Sequence, residues 1–166
     1  ELGAQLRAAA ALAAADRRPV VGYVTPDFGD HPTSHLMRSV WRLQGAAGRV
    51  RAVCFARTPS DGSPNRLHIE ASCEEFVDLS SVGYREAAAA INARRVQLLV
   101  DLNGHCGRPQ FELLSLRAAP LQLTYMGHPG TSGAASSFAV QRHRLTLLQP
   151  ARTVGACVAT GSNSIG

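Results

Sequence analysis

Five short, largely apolar runs constrain the fold of this chain more than any other feature of its sequence. They are Val20–Thr25, Val50–Ala56, Glu75–Leu79, Val96–Leu102 and Leu121–Met126. Segments of helical length lie between most of them, among them predicted helices at residues 84–95 and 109–117. Strands that alternate with helices form parallel sheets with right-handed crossovers. The alternation therefore predicts an α/β fold: a Rossmann-like, open, mostly parallel sheet with helices on both faces.

The rest of the chain divides around this sheet. An Ala-rich helix is predicted at residues 1–15, and the chain of 166 residues is long enough for one buried α/β domain. We assign residues 1–18 to an N-terminal helix or linker and residues 19–135 to the Rossmann-like lobe. Residues 136–166 are rich in Ala, Thr, Gly and Ser, which predicts a divergent, poorly ordered tail. A first residue that is not Met indicates a piece of a longer protein.

Composition argues against two classes of partner. The net charge of +5 comes almost entirely from Arg, and aromatic residues make up only 5% of the chain, so a stacking surface for nucleic acid is not predicted. No apolar run reaches the roughly 20 residues that span a membrane.

Cys54 and Cys73 lie in apolar contexts and are expected to be buried free thiols, which places the protein in a reducing compartment.

The loop after the first run carries an unusual density of reactive side chains. Its sequence, Asp-Phe-Gly-Asp-His-Pro-Thr-Ser-His at residues 27–35, holds two His, two Asp, one Thr and one Ser. Pro32 suits the first turn of a following helix, and Asp30 is a plausible N-cap for it. Ligands of open α/β sheets bind where such loops leave the carboxyl ends of the strands.

Two further loops follow later strands. Asn103-Gly104-His105 offers an amide and an imidazole, and residues 127–133, Gly-His-Pro-Gly-Thr-Ser-Gly, offer flexible backbone N–H groups suited to a sugar or phosphate. In a parallel sheet all three loops fall on one edge, so we expect them to converge on one cleft. The alternative is that Gly and Pro in these loops only form tight turns.

The same loops carry residues that could bind a metal ion. His31 and His35 are four residues apart, and Asp27, His105, Cys106 and His128 are further potential ligands. Pro32 places His31 at or before the helix start, so the two histidines need not share a face. We therefore predict no metal site, and a metal-dependent hydrolase remains a less favoured alternative.

Five segments match one enzyme family in order and spacing. They are Val21–Val24, Asp27–Met37, Leu99–Gly104, Leu116–Gln122 and Met126–Gly133. Together they resemble the catalytic region of the protein O-GlcNAc transferases, glycosyltransferase family 41, over residues 18–135. The His-Pro-Thr-Ser-His form of the first loop is similar to the GlcNAc-transferring rather than the fucose-transferring branch.

This resemblance implies an inverting enzyme with a two-lobed GT-B fold that uses UDP-GlcNAc as donor and needs no metal or other cofactor. It implies Ser/Thr acceptors in proteins of the cytoplasm and nucleus, and tetratricopeptide repeats upstream. The first His of the loop is the family's proposed general base, which is His31 here. The third loop lies near the donor sugar in the family, which points to Pro129, Gly130 and Thr131. We add the amide of Asn103 as a candidate substrate contact.

The chain also departs from the family. It contains no Lys, whereas the family's second lobe carries a lysine that meets the diphosphate, and residues 134–166 do not match the family pattern. We therefore expect UDP-GlcNAc to bind only together with the missing second lobe, and the isolated chain to be inactive. A degenerate lobe that acts as a non-catalytic binding or scaffolding module is the alternative.

Overall fold

A computed structural model of the chain describes residues 17–128 and the backbone of residues 138 and 139. The elements are β1 (Val20–Thr25), α1 (Pro32–Ala47), β2 (Arg51–Ala56), α2 (Pro64–Ser72), β3 (Glu75–Asp78), α3 (Tyr84–Ala93), β4 (Leu98–Asp101), α4 (Phe111–Ser115), β5 (Leu121–Thr124) and β6 (Phe138–Ala139). The helix predicted at residues 1–15 and nearly all of the tail predicted at residues 136–166 lie outside the described residues.

The strands form one sheet in the order β3-β2-β1-β4-β5-β6, and every neighbouring pair is parallel. This confirms the predicted Rossmann-like sheet. The strand order reverses direction between β1 and β4, which lie side by side although they are distant in sequence. A crevice for ligands opens at such a reversal, outside the carboxyl ends of the two strands.

Helices cover both faces of the sheet, as predicted. Ile91 of α3 and Leu113 of α4 pack against Val24 and Phe55 on one face. On the other face, Trp41 of α1 packs in one cluster with Ile69 of α2. Because alternate residues of a strand point to opposite faces, neighbouring residues of β1 and β2 contribute to both clusters. This burial on both faces explains why the strands have nearly continuous apolar sequences.

Several elements are shorter than predicted. The last helical residue of α3 is Ala93 rather than Arg95, α4 ends at Ser115 rather than Arg117, and β5 ends at Thr124 rather than Met126. Each predicted end is a residue with positive φ: 54° at Arg95, 53° at Arg117 and 74° at Met126. A residue with positive φ has neither helical nor extended backbone geometry, so the element stops before it.

Two of the four cysteines form a disulfide, which corrects the expectation of free thiols. Cys54 lies in β2 and Cys73 directly follows α2, and their Cα atoms are 6.5 Å apart. Packing of α2 on the sheet brings together two residues that are 19 positions apart in sequence. Cys106 is free and exposed. Among the helices within residues 17–128, none is both long enough and apolar enough to cross a membrane.

Candidate functional site

The loops after β1 and β4 are joined by hydrogen bonds at the carboxyl edge of the sheet. Asn103 lies at the centre: its Oδ1 accepts from Thr25 Oγ1 at 2.6 Å, and its Nδ2 donates to Asp27 Oδ2 at 2.5 Å. Asn103 is 1% exposed, whereas the Asp27 side chain is 20% exposed. Asn103 therefore lies beneath Asp27 and supports it. Direct contact between Asn103 and a substrate stays a prediction.

His31 lies directly before helix α1 and caps its N-terminus. Its Nδ1 accepts from the backbone N–H of Thr33 at 3.3 Å, and its extended backbone identifies it as the N-cap. The prediction of Asp30 as N-cap is therefore wrong, because Pro32 occupies the first helical position and places the cap one residue later. Asp30 contacts His35 instead, with 2.7 Å between Oδ1 and Nε2.

The Nδ1 atom of His31 has two neighbours that require opposite protonation states. The N–H of Thr33 needs an unprotonated Nδ1, while the carboxylate of Asp27, 3.8 Å away, favours a protonated one. In a neutral imidazole, a proton on Nδ1 leaves Nε2 free to accept another proton. Nε2 of His31 can therefore act as a base when Nδ1 carries the proton and donates to Asp27 instead of accepting from Thr33. The His31 side chain is 45% exposed and accessible to a substrate.

A buried aspartate shapes the second loop. Asp101 accepts hydrogen bonds from the N–H groups of Asn103, at 3.0 Å, and Gly104, at 2.9 Å. Burial raises the pKa of Asp101, and these two hydrogen bonds act in the opposite direction. Gly104 has a φ of +56°, and a Cβ atom there would lie 2.8 Å from the Cβ of His128. Only Gly fits this turn, where the third loop approaches the second.

The start of the third loop packs beside the second. The rings of His105 and His128 are 5.0 Å apart, and Cys106 Sγ donates to the carbonyl of Gly127 at 2.6 Å. The predicted convergence is thus observed for the first two loops and the first residues of the third. The candidate donor contacts Pro129, Gly130 and Thr131 lie outside the described residues. Within residues 17–128, no three His, Cys, Asp or Glu side chains are grouped so that they could hold a metal ion.

Comparison with known proteins identifies the family. The family model described as glycosyl transferase family 41 matches residues 4–144. The chain belongs to glycosyl transferase family 41. The match extends beyond residues 18–135, the range predicted from the sequence segments, at both ends. The expectation that residues 134–166 depart from the family pattern is therefore wrong for residues 134–144.

The family 41 relatives are much longer than this chain. A protein of Arabidopsis thaliana named probable UDP-N-acetylglucosamine-peptide N-acetylglucosaminyltransferase SEC is 38% identical over 118 residues, which is 71% of this chain and 12% of the relative. A Caenorhabditis elegans protein named UDP-N-acetylglucosamine-peptide N-acetylglucosaminyltransferase is 39% identical over 115 residues, 69% of this chain and 10% of the relative. A Petunia hybrida relative with SPINDLY in its name is 25% identical over 120 residues.

A solved structure supports the family 41 fold. The K341M mutant of the Thermobaculum terrenum O-GlcNAc transferase superposes with a TM-score of 0.68 at 21% sequence identity. The superposition covers 73% of this chain and 23% of the other. At this identity the likeness establishes the fold, here the N-terminal Rossmann-like lobe of a GT-B protein, and nothing about activity.

The sequence does not single out two residues of this family 41 site. Thr25 is the last residue of β1, and its hydroxyl links Asn103 to the sheet. Asp101 lies within the apolar run predicted as a strand, yet it orders the turn that presents Asn103. The pattern Asp-x-Asn-Gly at residues 101–104 is a signal that could have revealed the turn, since Asp side chains accept from backbone N–H groups two residues on.

Proposed function

We propose that this chain supplies the acceptor-side lobe of an inverting transferase that moves GlcNAc from UDP-GlcNAc to Ser or Thr hydroxyls of proteins. Membership of family 41 and the names of the relatives support the reaction class. The observation that carries the proposal is the placement of His31 beside Asp27 at the switch point of the sheet, with 3.8 Å between Nδ1 and Oδ2.

His31 is the proposed general base. A Ser or Thr hydroxyl is a weak nucleophile near neutral pH, and an imidazole that accepts its proton during attack accelerates such reactions about 10²- to 10⁴-fold. In this step Nδ1 of His31 donates to Asp27 instead of accepting from Thr33, which leaves Nε2 free, and Asn103 holds Asp27. The hydroxyl oxygen attacks the anomeric carbon, its proton passes to Nε2 of His31, and the bond to UDP breaks.

The donor side of the site is proposed to come partly from this chain and partly from a second lobe. We propose that Pro129, Gly130 and Thr131 approach the donor sugar, and that a second lobe holds the diphosphate, since the chain has no Lys. We further propose a cytoplasmic and nuclear protein with tetratricopeptide repeats upstream and no cofactor, on the basis of the family resemblance. The disulfide between Cys54 and Cys73 is an observation against this location, because thiols in the cytoplasm and nucleus are kept reduced.

A chimera tests the reaction. The 115 residues of the Caenorhabditis elegans relative that align with this chain would be replaced by their counterparts from this chain, and transfer of radiolabelled GlcNAc to an acceptor peptide measured. We expect transfer by the chimera, and at least about a 100-fold loss in kcat with His31→Ala. His68→Ala is the matched control, since His68 is an exposed histidine on α2.

The outcomes separate the hypotheses. A folded chimera without activity would favour the non-catalytic binding or scaffolding module. A chimera that loses activity equally with His31→Ala and His68→Ala would refute the role of His31 as base. The isolated chain is expected to show no turnover, because it lacks a lysine to meet the diphosphate.

A further inference from the structure

Side chains of the segment that follows β2 donate hydrogen bonds to the backbone of the first loop. Two of the loop's carbonyl groups and that of the preceding Pro26 accept hydrogen bonds from this segment: Pro26 from Thr58 Oγ1, Phe28 from Arg66 Nη1 and Gly29 from Asn65 Nδ2. The carbonyl of Asp27 accepts from Ser34 Oγ at 2.5 Å. Four consecutive carbonyl groups thus have side-chain partners. Such complete pairing restrains a loop that has no regular secondary structure of its own.

Arg66 and Asn65 make their contacts from buried positions on α2. Arg66 is 1% exposed, its Nη1 lies 2.9 Å from the carbonyl oxygen of Phe28, and its Nε donates to Glu70 at 2.6 Å. The guanidinium also stacks 4.5 Å from the ring centre of Phe76. Burying a guanidinium is costly unless its donors are used, so a buried Arg that donates to a loop carbonyl specifies the position of that carbonyl.

Asp61, which is exposed, also accepts a hydrogen bond from the backbone of the first loop. One carboxylate oxygen accepts from the N–H of Asp30 at 2.8 Å, and the other accepts from the N–H of Ser63 at 3.0 Å. The hydrogen bond from Asp30, followed by that from Ser63, lowers the pKa of Asp61. Gly29 permits this approach, because a Cβ atom at that position would lie 2.9 Å from Asp61 Cγ and closer still to one of its oxygens.

We propose that Asp61, Asn65 and Arg66 form a loop clamp that positions Asp27 and His31 for the reaction. The clamp leaves the side chains of Asp27 and His31 facing the crevice while it fixes the backbone between them. Its catalytic importance rests on the proposed function, in which His31 must meet an acceptor hydroxyl. Displacement of a reacting group by about 1 Å can lower a rate about 100-fold.

Asp61 offers the sharpest test, because it is exposed and its removal should not unfold the protein. In the full 166-residue chain we would measure, by NMR, amide hydrogen exchange and the ¹⁵N signals of the histidine rings. Asp61→Ala should accelerate exchange at Asp30 and His31 about 10-fold, which corresponds to loss of one hydrogen bond. It should also shift the ring signals of His31, which report its tautomer, and leave those of His68 unchanged.

Two further variants separate positioning from general stability. Asp61→Asn retains an oxygen acceptor for the N–H of Asp30 and should restore most of the protection. Asp78→Ala is the matched control, since Asp78 also accepts from a backbone N–H two residues on, that of Ser80, at 2.8 Å. It should leave the first loop unaffected. Exchange and ring signals at His31 that do not change in Asp61→Ala, or that change equally in Asp78→Ala, would overturn the clamp.

Gly29→Ala provides an independent test. The added methyl group should displace the Asp61 carboxylate, so this variant should accelerate exchange at Asp30 as much as Asp61→Ala does. The double variant should then be no worse than either single one, because the same interaction is lost. Additive effects would contradict the clamp. None of these measurements needs donor or acceptor, so their failure would leave the proposed reaction standing, and an inactive chimera would leave the clamp standing.

Discussion

Asn103 donates its side-chain N–H to Asp27 Oδ2 across 2.5 Å and so ties the loop after β4 to the loop after β1. The two residues are 76 positions apart in sequence. Because the other end of the Asn103 amide accepts from Thr25, the orientation of the amide is set from within the sheet. Asp27 in turn faces His31. The position of the candidate base therefore depends on a residue that no substrate needs to touch.

Replacing Asn103 should cost stability. In Asn103→Ala the buried hydroxyl of Thr25 and the carboxylate of Asp27 lose a partner, so we expect the free energy of unfolding to fall by about 1–3 kcal/mol. Urea denaturation would measure it. Asn92→Ala, at an exposed site on α3, is the control and should show little or no loss. Equal stability of Asn103→Ala and the wild type would contradict the assigned hydrogen bonds.

The two roles of His31 can be separated by choosing the replacement. Ser is a good N-cap but carries no imidazole, so His31→Ser should keep the stability of the wild type, whereas His31→Ala should lose about 1 kcal/mol. Both variants should lower the kcat of transfer by the chimera at least about 100-fold. Thermal or urea unfolding together with the transfer assay checks this. Transfer retained by His31→Ser would show that the imidazole is not the base.

Gly22 should be intolerant of a side chain. A Cβ atom at Gly22 would lie 2.9 Å from a ring carbon of Phe55 and 3.0 Å from Val96 Cγ1, so Gly22→Ala overpacks the core. We expect a loss of about 1–3 kcal/mol in unfolding free energy. Gly45→Ala on α1 meets only Glu74, at 3.9 Å, and should stabilise the helix by about 0.5–1 kcal/mol. The same sign for both changes would refute this packing.

Asp101 should make stability depend on pH in an unusual direction. Burial raises its pKa above the usual 3.8, so between 3.8 and the folded-state pKa the folded protein binds more protons than the unfolded chain. Its stability contribution is therefore complete below pH 3.8 and is lost as pH rises through the folded pKa. Relative to Asp101→Asn, the wild type should lose unfolding free energy over this rise. Urea denaturation of both proteins at several pH values tests this. A wild type whose unfolding free energy rises relative to that of Asp101→Asn as pH increases would contradict the assignment.

The cysteines give a direct chemical prediction. With Cys54 and Cys73 joined, the denatured, unreduced protein should show at most two reactive thiols rather than four. Reduction should lower the unfolding free energy by about 3 kcal/mol, given the 19-residue separation. Thiol titration of the purified chain measures the count. Four thiols in protein purified without reductant would restore the original prediction of free cysteines.

Much of the fold was predictable because its signals are local. The apolar runs predicted strands β1 to β5, and the segments between them predicted helices α1 to α4, since burial on both faces imposes a continuous apolar sequence. The ends of the helices and strands were predicted less accurately. A residue with positive φ, such as Arg117, has a side chain that does not reveal its backbone conformation. The N-cap was misplaced by one residue for a similar reason: Asp30 and His31 can both accept a hydrogen bond, and only the backbone geometry selects His31.

The sequence by itself determined the alternation of strands and helices, the three polar loops at one edge, and the family motif that includes His31. These depend on periodicity and on residues adjacent in the chain. Only the tertiary structure decided that Asn103 holds Asp27, that Asp61 and Arg66 hold the loop before His31, and that Cys54 meets Cys73. Each of these contacts joins residues brought together by strand register and helix packing. Such contacts leave no pattern in a single sequence, because their partners are separated by stretches that fold independently of them.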